Sequence, residues 1–221
     1  MKILCIETAT KNCSVAIGDE SGVLAQRSAR EEGYVHAEQL HVFLDAVIKE
    51  AGAPDAVAVS RGPGSYTGLR IGVAAAKGLC YALEIPLISL DTTEVLAEAV
   101  TNTEKIGYIV PMIDARRQEV YASVYRVVDG VLHLENEIQS LVIESDPFSF
   151  NAPAVFIGDG AGKFPDVLKA PHYTVISQHP QASDMLKLAL IRAAARDFQD
   201  VAYFEPFYLK EFIAGVPKKP F

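Results

Sequence analysis

Two acidic residues, Glu7 and Asp114, occupy the positions where this sequence can most readily place carboxylate chemistry. Each follows a short apolar run that is typical of a β-strand, and each precedes a polar turn. Carboxylates that face each other across a cleft can hold Mg²⁺ or serve as a general acid and base. Thr8, next to Glu7, can add a hydroxyl group and an N–H group. The alternative is that each acid accepts a hydrogen bond from its own turn, and the sequence leaves both interpretations open.

A glycine-rich stretch, SRGPGSYTGLRIG at residues 60–72, raises the question of a phosphate-binding loop. It lacks the Gly-Lys-Ser/Thr ending of a P-loop, and Thr67 stands where a dinucleotide-binding fingerprint needs its third glycine. Pro63 also removes an N–H group that a phosphate nest would use. The stretch therefore does not have the pattern of a phosphate-binding loop.

The same stretch leads into a predicted helix over residues 67–83. Gly68, Gly72 and Ala76 are four residues apart, so one face of this helix carries almost no side chain. A glycine inside a helix costs about 1 kcal/mol relative to alanine, which suggests that a close approach compensates. We predict that the bare face serves packing, either against the chain's own sheet and helix or against a partner.

Two histidines, His36 and His41, lie in a second predicted helix, over residues 36–51. Two helical ligands share a metal ion at a spacing of three or four, whereas a spacing of five separates them by roughly 140°. The residue four positions after His36 is Leu40, which cannot coordinate a metal. We therefore predict no metal site on this helix.

Composition limits the class of protein. The chain has 221 residues and a net charge of −8, which does not favour unaided binding of nucleic-acid phosphates. Its three cysteines, Cys5, Cys13 and Cys80, are far apart and are set among apolar residues, so we predict buried free thiols in a reducing compartment. The sequence has no apolar run long enough for a membrane span or a secretory signal, which predicts a cytoplasmic protein.

The elements that must position these residues follow a repeated pattern. Three β-rich runs precede an alternation of helix and strand, in the order β-β-β-α-β-α-β-α, which predicts a mixed sheet with helices on its faces. Residues 6–24 and 113–132 both run from an apolar strand through an acidic residue and a polar turn to Gly-Val-Leu. We predict an α/β protein with two related halves, 1–103 and 104–221, and a last helix over residues 182–198. Chance similarity of two β-hairpins is the alternative.

Four motifs give the chain a resemblance to a known family. ETATKNCSVAI, RGPGSYTGLRIGVAAAKGL, DARRQEVYASVY and PFYLKEF occur in order over most of the sequence and resemble the TsaB (YeaZ) family. The last motif is looser, with Lys210 where the family more often has arginine. The resemblance implies the actin-like, sugar-kinase-like ATPase (ASKHA) fold, with two RNase H-like halves. The N-terminal half would carry the helices through which the family dimerises.

The resemblance also implies a function. The family is a bacterial subunit of the machinery that makes N6-threonylcarbamoyladenosine (t6A) in tRNA, and it is similar to TsaD without being catalytic. Its partners would be a TsaD-type paralogue, in a heterodimer, and a TsaE-type ATPase, with a homodimer in isolation. No cofactor is expected on this chain, because ATP, Mg²⁺ and the metal would bind the partners, and tRNA would be contacted only indirectly.

Two departures from the catalytic relatives make the chain resemble a pseudoenzyme. His36 matches the first histidine of the H-x-x-x-H metal pair of TsaD, but Leu40 stands at the second position. Ala9 stands where actin-like ATPases have a glycine in the phosphate turn, and its methyl group would hinder the approach of a phosphate.

A partner surface on the two helices is a further implication of the resemblance. The expected interface residues are His36, Leu40, Leu44, Gly68, Leu69, Gly72, Val73 and Ala76. The alternative function is a small-molecule kinase, or a hydrolase or peptidase-like enzyme of the same fold, that would use Glu7 and Asp114 as weak cleft candidates together with Thr8. The aromatic and charged run EPFYLKEF, residues 205–212, would cover a seam between the halves or meet a partner.

Overall fold

A computed structural model describes residues 1–30, 36–101 and 103–210. The first half of the chain forms a five-stranded mixed sheet in the order β3-β2-β1-β4-β5, in which β1 pairs antiparallel with β2 and parallel with β4. Its elements are β1 Ile3–Glu7, β2 Asn12–Asp19, β3 Gly22–Arg30, α1 His36–Ala51, β4 Ala56–Gly62, α2 Tyr66–Leu83, β5 Leu87–Asp91 and α3 Thr92–Glu98.

A second five-stranded sheet repeats this arrangement. Its order is β10-β9-β6-β7-β8, with β6 antiparallel to β7 and parallel to β9. Its strands, and the helix that follows them, are β6 Tyr108–Asp114, β7 Glu119–Val128, β8 Val131–Val142, β9 Ala154–Ile157, β10 Tyr173–Ile176 and α4 Leu186–Ala194. Each sheet therefore has three antiparallel strands followed by two parallel ones. This common topology confirms the predicted α/β fold class of two duplicated halves, of the actin-like and sugar-kinase-like kind.

Two helices cover one face of the first sheet. The helices α1 and α2 pack on β1, β2 and β4 through an apolar core that includes Leu40, Leu44, Val73 and Ala76. The helix α2 begins at Ser65, whose Oγ accepts a hydrogen bond from the N–H of Gly68 at 3.3 Å. This cap satisfies one of the free N–H groups of the first turn and fixes where the glycine-rich stretch becomes helical.

Each of the two remaining helices packs against strands of the other half. On the other face of the first sheet, α4 packs through Leu186, Leu188 and Ala189, although it follows the second sheet in sequence. The helix α3, which follows the first sheet, contributes Leu96 and Ala97 to a core with strands of the second sheet. The division at residues 103 and 104 separates the strands of the two sheets and stays a prediction as a domain boundary, but each sheet takes a helix from beyond it.

The three cysteines are buried and free, as the sequence predicts. Burial raises the pKa of the Cys5 thiol to about 12 and those of the Cys13 and Cys80 thiols to about 11, so they are neutral and unreactive at neutral pH. None of the helices within the described ranges is both long and apolar enough to cross a bilayer. Of the run EPFYLKEF, Glu211 and Phe212 lie outside the described residues.

Candidate functional site

The first acid, Glu7, is enclosed at the end of β1. It has no exposed surface; one carboxylate oxygen accepts a hydrogen bond from the N–H of Ala9 at 2.6 Å, and the other accepts a short hydrogen bond from the hydroxyl of Ser60 in β4. Burial raises the pKa of Glu7 to about 7, against the opposing effect of these two hydrogen bonds. Glu7 therefore binds its own turn and the neighbouring strand, with no face open to a ligand.

The turn after Glu7 is packed beneath the start of α2. Thr8 is fully buried and its hydroxyl donates to the carbonyl of Gly68 at 2.8 Å, while the N–H of Ser65 donates to the carbonyl of Ala9 at 2.7 Å. A phosphate group would have to displace these contacts to reach the turn. Thr8 is thus a structural residue in this conformation.

Two glycines of α2, Gly68 and Gly72, make this contact possible, together with Gly64 just before the helix. A Cβ atom added to Gly68 would collide with the carbonyl oxygen of Thr8, and one added to Gly72 would collide with the Thr8 hydroxyl. One added to Gly64 would meet the backbone and the methyl group of Ala9. The prediction that the stretch serves packing is confirmed, and the element packed against it is the chain's own β1–β2 turn.

The second acid, Asp114, lies at the end of β6 and is more exposed. Its Oδ1 accepts hydrogen bonds from the N–H of Arg116 at 2.7 Å and from the ammonium of Lys163 at 2.6 Å. Asp114 therefore also binds its own turn, and Lys163 neutralises its charge. Both acids have the arrangement that the sequence analysis kept as the alternative to a ligand site.

A pair that sequence reasoning missed, a buried histidine and a partly buried aspartate, lies beside Asp114. Asp159 follows β9 and accepts a hydrogen bond from the N–H of Asp114 at 3.0 Å; His179 follows β10, with its Nδ1 3.6 Å from Asp159 Oδ2. Burial raises the pKa of Asp159 and lowers that of His179, so both effects favour the neutral forms. The apolar run PAVFIG predicts a strand that ends just before Asp159, and functional side chains are common at the carboxyl ends of strands. No pattern in the sequence marks His179.

The two histidines of α1 are separated by the helix. His36 is buried, with its Nε2 2.8 Å from the carbonyl oxygen of Thr10, while His41 is exposed. Within residues 1–30, 36–101 and 103–210, no three His, Cys, Asp or Glu side chains are grouped so as to hold a metal ion.

The expected interface residues require a correction. All eight are buried inside the chain, on the sides of α1 and α2 that face the first sheet, so they cannot form a partner surface as the chain stands. They are His36, Leu40, Leu44, Gly68, Leu69, Gly72, Val73 and Ala76. Helical periodicity identifies an apolar face, but it does not say whether that face meets the chain's own sheet or another molecule.

The opposite sides of these helices are exposed. On α1 this side is mostly charged, with Glu38, Asp45 and Lys49 among its exposed residues, whereas on α2 it is mostly small or apolar. Val42 of α1 is 64% exposed and Tyr81 of α2 is 83% exposed, and the small residues Ala74 and Gly78 are also exposed on the solvent side of α2. A Cβ atom added to Gly78 would meet no atom within 4 Å. We call Val42, Ala74, Gly78 and Tyr81 the outward helix face.

Comparisons with known proteins agree on one family for this chain. A family model described as "TsaD: tRNA N6-adenosine threonylcarbamoyltransferase" matches residues 19–214. The chain is 30% identical to the tRNA threonylcarbamoyladenosine biosynthesis protein TsaB of Escherichia coli (strain K12), over 97% of this chain and 96% of that protein. It is 29% identical to the protein of the same name from Bacillus subtilis (strain 168), over 95% and 94% of the two chains.

A solved structure extends the similarity to three dimensions. YeaZ from Pseudomonas aeruginosa superposes with a TM-score of 0.81 at 28% identity, over 94% of this chain and 99% of that one. Sequence and structure thus match over nearly the full length of each protein compared.

Proposed function

Because this chain belongs to the TsaB (YeaZ) family, within the wider family that the TsaD model describes, we propose that it is a non-catalytic scaffold subunit for t6A formation. It takes part in t6A biosynthesis, the process for which its TsaB relatives are named. In the proposed role it binds and activates a TsaD-type paralogue as a heterodimer, and a TsaE-type ATPase joins the pair. ATP, Mg²⁺ and the metal bind those partners, tRNA is contacted through them, and the isolated chain forms a homodimer.

The state of the two acids supports a role without catalysis. Glu7 is fully buried and hydrogen-bonded to Ser60 and Ala9, and Asp114 is paired with Lys163. An acid–base pair would need at least one carboxylate within hydrogen-bond reach of a substrate. The kinase or hydrolase alternative would have to open the packing of the β1–β2 turn before Glu7 could act.

The outward helix face is the observation that carries the scaffold proposal. Both α1 and α2 lie on the same face of the first sheet, so their exposed sides point in the same direction. Ala74 and Gly78 allow a second backbone to approach closely, and Val42 and Tyr81 offer apolar area that association would remove from water. Tyrosine is enriched in protein–protein interfaces relative to the rest of the surface, which suits Tyr81 to a protein contact.

The test replaces Gly78 by arginine and measures the complex. The purified chain is mixed with the TsaD-type subunit of the same organism, and mass is determined by light scattering after size exclusion. We expect a 1:1 complex for the wild type and its loss for Gly78→Arg, because the new side chain extends into open space and leaves the monomer intact. Gly78→Ala is the matched control and should retain the complex. A wild-type chain that forms no complex at micromolar concentration would contradict the proposal.

A second experiment distinguishes the scaffold function from the enzyme alternative. The double variant Glu7→Gln, Asp114→Asn should support t6A formation in a reconstituted reaction at close to the wild-type rate, because neither carboxylate touches a substrate in the proposed role. Loss of t6A formation by a double variant that still folds and still forms the complex would favour the enzyme alternative.

A further inference from the structure

The last described residues, Gln199–Lys210, form a segment without helix or strand, with a turn at residues 201–203, that we call the C-terminal strap. Its first residue, Gln199, donates its N–H to the carbonyl of Leu87 at the edge of the first sheet, at 2.8 Å. Phe204 is buried in the core under α1 and α2. The N–H of Phe207 donates to the carbonyl of Arg61 at 2.7 Å. The strap is therefore fixed to the first half at its start, its middle and near its end.

One lysine of α2 fixes the middle of the strap. The ammonium of Lys77 donates to the carbonyls of Ala202 at 3.1 Å and Phe204 at 2.9 Å, the two residues that flank Tyr203. The carboxylate of Asp200 accepts hydrogen bonds from the N–H groups of Ala202 at 2.8 Å and Tyr203 at 3.3 Å. The backbone on both sides of Tyr203 is thus held in place, while its own side chain is 83% exposed.

Tyr81 lies one helical turn after Lys77 on α2. It follows Lys77 by four residues, one turn of the helix, and so lies on the side of α2 that Lys77 shares with the strap. Tyr81 and Tyr203 have the highest exposure among the large hydrophobic side chains of the described residues. Tyrosine gives a large contact area at a small cost in conformational entropy, and it is enriched among the residues that dominate binding energy.

We propose that Tyr203, held by Lys77 and Asp200, is an aromatic anchor for the partner subunit that docks on the outward helix face, and that Tyr81 is its counterpart on α2. The proposal rests on the proposed function and adds a segment outside the two helices to the docking surface. The occupant is the TsaD-type subunit, because the anchor is continuous with the outward helix face through the turn of α2 between Lys77 and Tyr81.

The surroundings of the anchor define the chemistry of the surface that it meets. Asp200 and Glu205, both exposed, lie within three residues of Tyr203, and Glu84 is exposed at the end of α2. Unlike charges steer association and disfavour wrong partners. The partner should therefore present an apolar pocket for Tyr203 with basic groups at its rim.

The test compares three single variants of the full chain. Dissociation constants for the TsaD-type subunit are measured by isothermal titration calorimetry for Tyr203→Ala, Tyr81→Ala and Ile191→Ala. Ile191 is a matched control, because it is a large exposed apolar residue on α4, at the opposite face of the first sheet. We expect the two tyrosine variants to bind about tenfold or more weakly, and Ile191→Ala to bind within about twofold of the wild type.

The outcomes distinguish this proposal from the proposed function. If Gly78→Arg abolishes the complex while Tyr203→Ala binds as the wild type does, the scaffold role stands and the anchor is overturned. A loss for Tyr203→Ala that affects only self-association of the chain also overturns it, because the occupant would then be a second copy. A wild type that binds no TsaD-type subunit overturns both. Melting curves confirm that each variant is folded.

Discussion

Glu7, at the end of β1, carries a carboxyl group that has no access to water. Its hydrogen bonds to Ala9 and Ser60 stabilise the ionised form, but the cost of burying a charge is larger, and Asp184 opposes ionisation further. The pKa is therefore raised from 4.5 to about 7. Below about pH 7 Glu7 is therefore mostly protonated and acts as a neutral hydrogen-bonding link between two strands.

Stability should fall as the pH rises, because of Glu7. In the unfolded chain this group loses its proton near pH 4.5, whereas in the folded chain it retains the proton to about pH 7. The folded state binds more protons between these values, so the free energy of unfolding decreases with pH across that window, by about 3 kcal/mol in total.

The measurement is urea denaturation of the wild type and Glu7→Gln from pH 4.5 to 8. Glutamine can donate to Ser60 and accept from Ala9 without ionising. The stability of the wild type relative to Glu7→Gln should therefore decrease over this range. Parallel pH profiles for the two proteins would show that Glu7 ionises normally.

At the scale of elements, α2 has two faces that both carry small residues for different reasons. Gly72 faces the β1–β2 turn, where an added Cβ atom would collide with the Thr8 hydroxyl; Gly78 faces solvent, where an added Cβ atom meets nothing within 4 Å. Substitutions at Gly72 and Gly78 can therefore measure the effects of packing and of helix propensity separately within one helix.

Alanine at these two positions should have opposite effects. Gly78→Ala should raise the free energy of unfolding of the isolated chain by up to about 1 kcal/mol, because alanine favours the helix. Gly72→Ala should lower it by about 1 to 3 kcal/mol, because Thr8 and α2 must separate to admit the methyl group. Thermal and urea denaturation of both variants measures this, and equal effects at the two positions would contradict the assignment of the faces.

The ends of the helices show what a sequence can predict and what it cannot. The prediction for α1 ended it before Gly52, and the helix does end at Ala51, with Gly52 at a positive φ of 86°. The sequence predicts that the last helix continues to residue 198, but α4 ends at Ala194. There Arg196 adopts a positive φ of 56°, a conformation that glycine usually provides, so the sequence has no marker for the stop.

The same limit applies to the candidate site. Carboxylates at the ends of β1 and β6 are visible in the sequence because each follows an apolar strand. The burial of Glu7 depends on Ser60, which is distant in the sequence and becomes a neighbour through the parallel pairing of β1 with β4. The direction that the apolar faces of α1 and α2 take is likewise set by the sheet beneath them, and helical periodicity in the sequence does not encode it.

At the scale of the whole molecule, the halves depend on each other through their last helices. A fragment of residues 1–103 lacks α4, which covers the apolar side chains of Ile3, Ile88 and Leu90 on one face of the first sheet. We expect this fragment to be poorly soluble or to lack fixed tertiary packing, because that face would be exposed to water. Amide proton dispersion in NMR spectra measures this. A fragment that unfolds cooperatively would contradict the expectation.

The position of α4 also has a consequence for the order in which the protein folds during its synthesis. The first sheet is complete in sequence at Asp91, yet the helix that covers its second face ends at Ala194, roughly a hundred residues later. At typical rates of translation the ribosome needs on the order of 5 to 20 s for that length. For this interval the nascent chain carries an apolar sheet face without its helix, which makes it a substrate for the chaperones that bind emerging chains.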